Sequence, residues 1–130
     1  MTLGEAQTRL EQINQRLSDI AISIKRGPTS NITEALDEHS GLMRERQSLE
    51  ERLLRAKLDL KIEGSSLWQL EGLLVSVRAN IEILEDLRNR SDIAKDSSAA
   101  IYEQLTNFRT LRDNLHNIVQ RCLWSTELLE

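Results

Sequence analysis

The chain has 130 residues and a formal net charge of −4, with 39% hydrophobic and 29% charged residues. This length fits one domain or one elongated helical module. Residues 1–62 hold ten Lys/Arg and ten Asp/Glu, and residues 63–130 hold seven and eleven. Because neither half forms a basic field, composition argues against nucleic acid and anionic membrane as main partners. No apolar run approaches the roughly 20 residues of a membrane span.

Apolar residues recur every three or four positions through most of the chain, which is typical of helices that bury a seam against other helices. The first helix is predicted at residues 2–26. Lys25 and Arg26 suit the negative end of the helix dipole, Gly27 can adopt a left-handed cap, and Pro28 cannot continue the helix.

A second helix is predicted at residues 31–90. The apolar repeat keeps its phase across the Gly-Ser-Ser sequence at 64–66, and a single glycine costs a helix only about 1 kcal/mol. We therefore favour one continuous helix about 90 Å long. The same three residues can also form a C-cap followed by an N-cap, which would kink or break the helix at 63–66.

A third helix is predicted at residues 97–129, after a polar segment at 89–98 in which the phase is lost. It carries no C-terminal stop signal, and an excerpt from a longer protein would show the same pattern. The sequence thus predicts an all-α fold of antiparallel helical hairpins with coiled-coil heptads. The apolar stripes are too wide for a two-stranded coil, so we expect two chains to form an elongated dimeric rod. A compact monomeric four-helix bundle is the alternative, if the chain breaks at Gly64.

One stripe of the most apolar segment is predicted to mediate self-association. Two tryptophans, in segments that antiparallel pairing would bring close together, are predicted to lie near this stripe as interaction residues. Together, the predicted protein-interaction residues are Leu67, Trp68, Leu70, Leu74, Val77, Ile81, Leu84 and Trp124. His39 and Arg46 occupy seam positions of the second helix. We expect Arg46 to form an ion pair with a carboxylate of a neighbouring helix, since polar seam residues fix register. The alternative is that Arg46 extends to solvent near the edge of its helix.

No catalytic, cofactor or metal site is predicted. Asp113 and His116 have the carboxylate-x-x-His spacing of di-iron bundles, but the chain has no second such motif. Cys122 is the only cysteine, so it cannot form an intramolecular disulfide, and it lies on an apolar face without a histidine or carboxylate to activate it. A reducing, cytoplasmic location is the expectation for such a chain.

The sequence therefore favours a non-enzymatic coiled-coil scaffold or adaptor, of the kind found in cytoskeletal assemblies. It would bind proteins, including a second copy of itself, and no small-molecule substrate. The alternative is a regulatory helical domain that recognises a small GTPase or another signalling or trafficking partner. The eight residues at 57–64 resemble the Lys-Leu-x-Ile-x-x-Gly segment of Rho-effector helical hairpins. Ser65, Ser66 and Leu67 replace the Ala-x-Asn that should follow, so no family is assigned.

Overall fold

The computed structural model describes residues 1–27, 32–90 and 92–129. In chain order these residues form α1 (Leu3–Arg26), α2 (Ile32–Asp59), β1 (Lys61–Ile62), β2 (Ser65–Ser66), α3 (Leu67–Arg88) and α4 (Lys95–Ser125). The predicted all-α class is confirmed, with the addition of a two-stranded antiparallel sheet between α2 and α3. The predicted stop at Pro28 lies outside the described residues.

Helix α1 begins at a reciprocal capping box. The Thr2 hydroxyl accepts a hydrogen bond from the Glu5 backbone N–H, and the Glu5 carboxylate accepts one from the Thr2 backbone N–H, both at 3.1 Å. This exchange satisfies two of the backbone donors that a helix start leaves unpaired. At the other end, Gly27 has φ −88° and ψ 173°. The predicted left-handed cap at this glycine is therefore wrong, and the chain leaves α1 in an extended conformation.

A tight β-hairpin separates α2 from α3, so the favoured continuous helix is not what the structure shows. Ile62 pairs with Ser65, and the two residues between them, Glu63 and Gly64, have φ of 50° and 87°. Positive φ at both central residues is the pattern of a type I′ turn, whose twist matches that of the flanking strands. A right-handed α-helix cannot pass through two such residues.

The unbroken apolar phase has a different physical origin from the one predicted. The Leu67 backbone N–H donates to the Leu60 carbonyl at 2.9 Å, so these two leucines close the base of the hairpin. Their seven-residue spacing is the same as that of a coiled-coil heptad, although no helix joins them. A second capping box then starts α3: Ser66 and Gln69 exchange hydrogen bonds of 2.9 and 3.1 Å, and Ser66 is buried.

Residue contacts divide the chain into two compact units. Unit 1 comprises Met1–Lys57 and Leu123–Glu130, and unit 2 comprises Leu58–Cys122. Within unit 1, Arg9 pairs with Glu45 and Arg16 pairs with Glu38, so α1 and α2 run antiparallel. The buried apolar residues of this unit are Leu3, Ala6, Ile13, Leu17, Ile20, Leu49, Leu53, Leu123 and Leu128.

Candidate protein-interaction surfaces

The inner face of α3 forms the core of unit 2. Leu74, Val77, Ile81 and Leu84 are each at most 9% exposed and pack in one cluster that includes Leu105 of α4. Leu115 of α4 joins this cluster, Leu70 packs against it, and Leu67 is fully buried. The sequence assigned this stripe to self-association. The structure corrects that assignment, because α4 of the same chain covers the stripe and leaves no exposed apolar face there.

Polar contacts along the rim of this core define how α3 and α4 are aligned. An Arg109 guanidinium N–H donates to the Glu85 carboxylate at 2.9 Å, and Arg78 Nη2 lies 3.2 Å from His116 Nδ1. Arg78 of α3 contacts His116 of α4, and Glu85, further along α3, contacts Arg109, which lies earlier in α4. The two helices therefore run antiparallel. The guanidinium of Arg109 holds the pKa of Glu85 below its ordinary value, against a smaller opposing effect of desolvation.

The opposite face of α3 is apolar and open to solvent. Trp68 is 53% exposed, Val75 65% and Ile83 57%. Gly72 and Ala79 lie between them and are also exposed, and the space beside Gly72 where a side chain would begin holds no atom within 4 Å. A surface helix normally places charged residues on this side. We call Trp68, Gly72, Val75, Ala79 and Ile83 the outer face of α3.

Of these five residues only Trp68 was among the predicted interaction residues. The sequence does carry a signal for the others. Segment 67–87 is apolar on more sides than one partner helix can cover, which predicts a contact with a second partner. The pattern does not show which apolar face packs inside the chain and which one stays exposed. That choice depends on the position of α4, and α4 is placed by tertiary packing.

Trp124 lies at the start of α1, within unit 1. A Cβ atom added to Gly4 would come within 2.6 Å of the Trp124 indole, so the glycine is what lets the ring approach the helix. Half of this tryptophan is nevertheless exposed, at 53%. Trp68 belongs to unit 2, and the predicted pairing of the two tryptophans stays a prediction.

Antiparallel pairing joins the two ends of the chain in unit 1. Thr2 forms an isolated β-bridge with Glu127. The Leu3 N–H donates to the Thr126 carbonyl at 2.9 Å, and the Leu128 N–H donates to the Met1 carbonyl at 2.8 Å. The sequence predicted helix up to residue 129, whereas the structure ends α4 at Ser125. Residues 126–128 pair with the backbone of residues 1–3 and therefore do not continue the helix. This pairing depends on the tertiary fold, so the local sequence does not predict it.

The predicted polar seam of α2 is only partly as expected. Arg46 Nη1 donates to the side-chain carbonyl of Asn14 on α1 at 3.4 Å, and its carboxylate neighbour is Glu50 of its own helix, at 3.9 Å. Among the described residues, the contact that Arg46 makes on the neighbouring helix is thus an amide, where the prediction had a carboxylate. His39 is half-buried.

Two other arginines make the ion pairs between α1 and α2. Arg9 and Glu45 form two hydrogen bonds of 2.8 and 2.9 Å, and Arg16 and Glu38 form two of 2.7 and 2.9 Å. Such two-point contacts are the strongest geometry for an arginine and a carboxylate. Hydrogen bonding from the arginine is the main cause that lowers the pKa of Glu38 and of Glu45.

Helix α2 carries its own exposed apolar residues, but charges surround them. Leu36 is 50% exposed, Met43 37% and Leu54 47%. Exposed Asp37, Arg44 and Arg55 follow them directly in sequence. Single apolar residues among charges are ordinary on a protein surface, so this face is the weaker candidate for an interface.

The described residues contain no group of three His, Cys, Asp or Glu side chains placed to hold a metal ion. Asp113, part of the carboxylate-x-x-His spacing, contacts Arg112 at 3.1 Å, and Cys122 is half-buried. The expectations of no metal, no cofactor and no enzymatic activity stay predictions. Across residues 1–27, 32–90 and 92–129, no helix combines the length and apolar composition that crossing a membrane requires.

In comparisons with known proteins, no protein-family model, no curated protein and no solved structure matches this chain.

Proposed function

We propose that the protein is a helical protein-interaction module that acts as a scaffold or adaptor and associates with itself. The observation that carries this proposal is the outer face of α3, where Trp68, Val75 and Ile83 are all more than half exposed. The inner face of the same helix is already packed against α4. Burial of exposed apolar area is the main favourable contribution to protein association, at about 25 cal/mol per Å² before ordering costs.

The composition of the exposed surface supports a protein partner over other kinds. Between Trp68 and Ile83 the exposed charged residues are Arg78 and Glu82, one of each sign, and Glu71 is half-buried. Binding to nucleic acid or to an anionic membrane would require a cluster of positive charges, and this face lacks one. An apolar centre with charges at its edge is instead the anatomy of a protein interface.

The cytoplasmic location and dimerisation remain parts of this proposal. The elongated rod was predicted from one continuous helix, which the turn at Glu63 and Gly64 interrupts, so the compact monomeric four-helix bundle stays the alternative arrangement. Recognition of a small GTPase is the alternative prediction, and none of the contacts described above favours it.

Sedimentation equilibrium of the purified chain from about 1 to about 100 µM tests the proposal, since these concentrations bracket weak and moderate affinities. We expect the weight-average mass to rise from that of one chain towards that of two. A mass that stays at one chain over the whole range would contradict self-association.

A further inference from the structure

We infer that two chains associate through the outer face of α3, with the two helices antiparallel and in one specific register. The inference deepens the proposed function and rests on it, because it names the surface and the geometry of self-association. Three independent features of the outer face support a second copy of this chain as the occupant: its spacing, the sizes of its side chains and its charges.

The spacing is that of a coiled-coil seam. Trp68, Gly72, Val75 and Ala79 follow one another at steps of four, three and four, and all four are exposed. They correspond to heptad positions d, a, d and a. In an antiparallel coiled coil an a residue of one helix lies opposite a d residue of the other. Pairing α3 with itself in this way places Trp68 opposite Ala79 of the second copy, and Gly72 opposite Val75.

The side-chain sizes match in this register. Each of the four layers combines one large residue with one small one: Trp68 with Ala79, Gly72 with Val75, and the same two pairs in reverse. Complementary sizes let two helices approach closely and still fill the space between them. The open space beside Gly72 is where Val75 of the second copy would enter. A parallel pairing would instead oppose Trp68 to Trp68 and Gly72 to Gly72, giving one overfilled layer and one void.

The charges match in the same register. Glu71 and Arg78 lie seven residues apart along one edge of the outer face. In the antiparallel arrangement this edge of one copy lies beside the same edge of the second copy, so Glu71 of each copy faces Arg78 of the other. Both keep their contacts within the chain, Arg78 to His116 and Glu71 within its own fold. A guanidinium has five donors and a carboxylate several acceptor positions, so each can serve both contacts. The opposite edge carries uncharged Gln69 and Ser76.

The size of the contact sets the expected affinity. In the proposed register the paired layers run from Trp68 to Ala79, a distance of about 17 Å at 1.5 Å per residue. One helix pair of this length lies at the small end of specific interfaces, which bury about 1,200–2,000 Å² in total. We therefore expect a dissociation constant in the micromolar range, about 1–50 µM.

The first test compares Val75→Glu with Ile22→Glu by sedimentation equilibrium, with helix content measured by circular dichroism. Ile22 is the matched control, because it is 52% exposed and belongs to α1 of unit 1, whereas the outer face of α3 belongs to unit 2. We expect Val75→Glu to be a helical monomer and Ile22→Glu to dimerise like the native chain. If Val75→Glu loses helix content, Ala79→Arg replaces it, with the same expected loss of the dimer.

Three outcomes are distinguishable. Loss of the dimer in Val75→Glu alone supports the inference. A Val75→Glu chain that still dimerises overturns the inference and leaves the proposed self-association standing on another surface. A native chain that stays monomeric at every concentration overturns both.

Disulfide cross-linking tests the register. In a Cys122→Ser background, chains with Gly72→Cys are mixed with chains with Val75→Cys and oxidised. The antiparallel register puts residue 72 opposite residue 75, whereas two copies of residue 75 lie about 9–10 Å apart, beyond the Cα separation of a disulfide. We expect the mixed dimer to exceed its statistical share. An excess of dimers linked 75 to 75 would indicate parallel helices and overturn the proposed register.

Charge reversal tests the edge. Arg78→Glu should weaken the dimer severalfold, because Glu71 would then face a like charge. Adding Glu71→Arg to the same chain should restore most of the affinity, since the pair is regenerated with its signs exchanged. If the double variant is no tighter than Arg78→Glu alone, Glu71 and Arg78 do not meet across the interface.

Discussion

The Trp124 ring lies so close to the backbone of Gly4 that position 4 has no room for a side chain. A Cβ atom on residue 4 would come within 2.6 Å of two atoms of the indole ring. The contact joins the first turn of α1 to the end of α4 inside unit 1, next to the backbone pairing of Thr2 with Glu127. The glycine is thus a packing requirement and not a turn residue.

Gly4→Ala should therefore destabilise unit 1. We expect a loss of about 1–3 kcal/mol in the free energy of unfolding, as for other overpacked sites, measured by urea denaturation. Gly41→Ala is the matched control, because Gly41 is also helical and its added methyl group would meet nothing within 4 Å. That variant should gain up to about 1 kcal/mol from helix propensity. Equal effects of both substitutions would mean that Trp124 does not restrict position 4.

The hairpin between α2 and α3 should depend on its two left-handed residues. Gly64→Ala places a side chain at φ 87° and should cost about 1–2 kcal/mol. Glu63→Asn should have the opposite sign, because asparagine tolerates the left-handed region better than glutamate does. Urea denaturation measures the free energy of unfolding of both variants, which should fall for Gly64→Ala and rise for Glu63→Asn. Stabilisation by Gly64→Ala would indicate that residues 60–66 are helical, as the apolar phase alone suggests.

The ion pairs between α1 and α2 should make stability depend on pH. Pairing lowers the pKa of Glu38 and Glu45 below their ordinary values. A carboxyl with a lowered folded-state pKa contributes stability that is complete above its unfolded-state pKa and is lost as pH falls through the folded one. The melting temperature of the native chain should therefore exceed that of Glu38→Gln at neutral pH. The difference between the two melting temperatures should shrink as the pH falls through the folded-state pKa of Glu38, because the protonated carboxyl group no longer pairs with Arg16.

An exchange of charges separates this pair from general effects of charge. Arg16→Glu should lower the melting temperature by placing two carboxylates side by side, and Arg16→Glu with Glu38→Arg should recover most of the loss. Because both side chains are substantially exposed, at 54% and 43%, added salt should reduce the effect. A double variant no more stable than Arg16→Glu alone would show that the pair does not contribute to stability.

The sequence predicted most helix ends closely, but it favoured a continuous helix where the structure has the β-hairpin at residues 61–66. Helical periodicity, the Lys25 and Arg26 charges and the polar segment after Arg88 are local features, so they placed α1, α3 and α4 to within a few residues at most ends. The Leu60–Leu67 spacing fits both a heptad and a hairpin base, and periodicity does not distinguish them. Which apolar face of α3 is covered depends on α4, a helix far away in sequence. For that reason Ile81 was predicted as an interface residue and is a core residue.

Ile81 and Ile83 offer the sharpest comparison between the core and the surface of α3. They have the same side chain on the same helix, but Ile81 is 4% exposed and Ile83 is 57% exposed. Ile81→Glu buries a charge among Leu74, Leu84 and Leu105 and should cost about 3 kcal/mol or more. Ile83→Glu should leave the free energy of unfolding nearly unchanged when both are measured below the concentration at which chains associate. If instead Ile81→Glu keeps native stability and only loses self-association, the inner face of α3 is the interface between chains, and α4 does not cover it in solution.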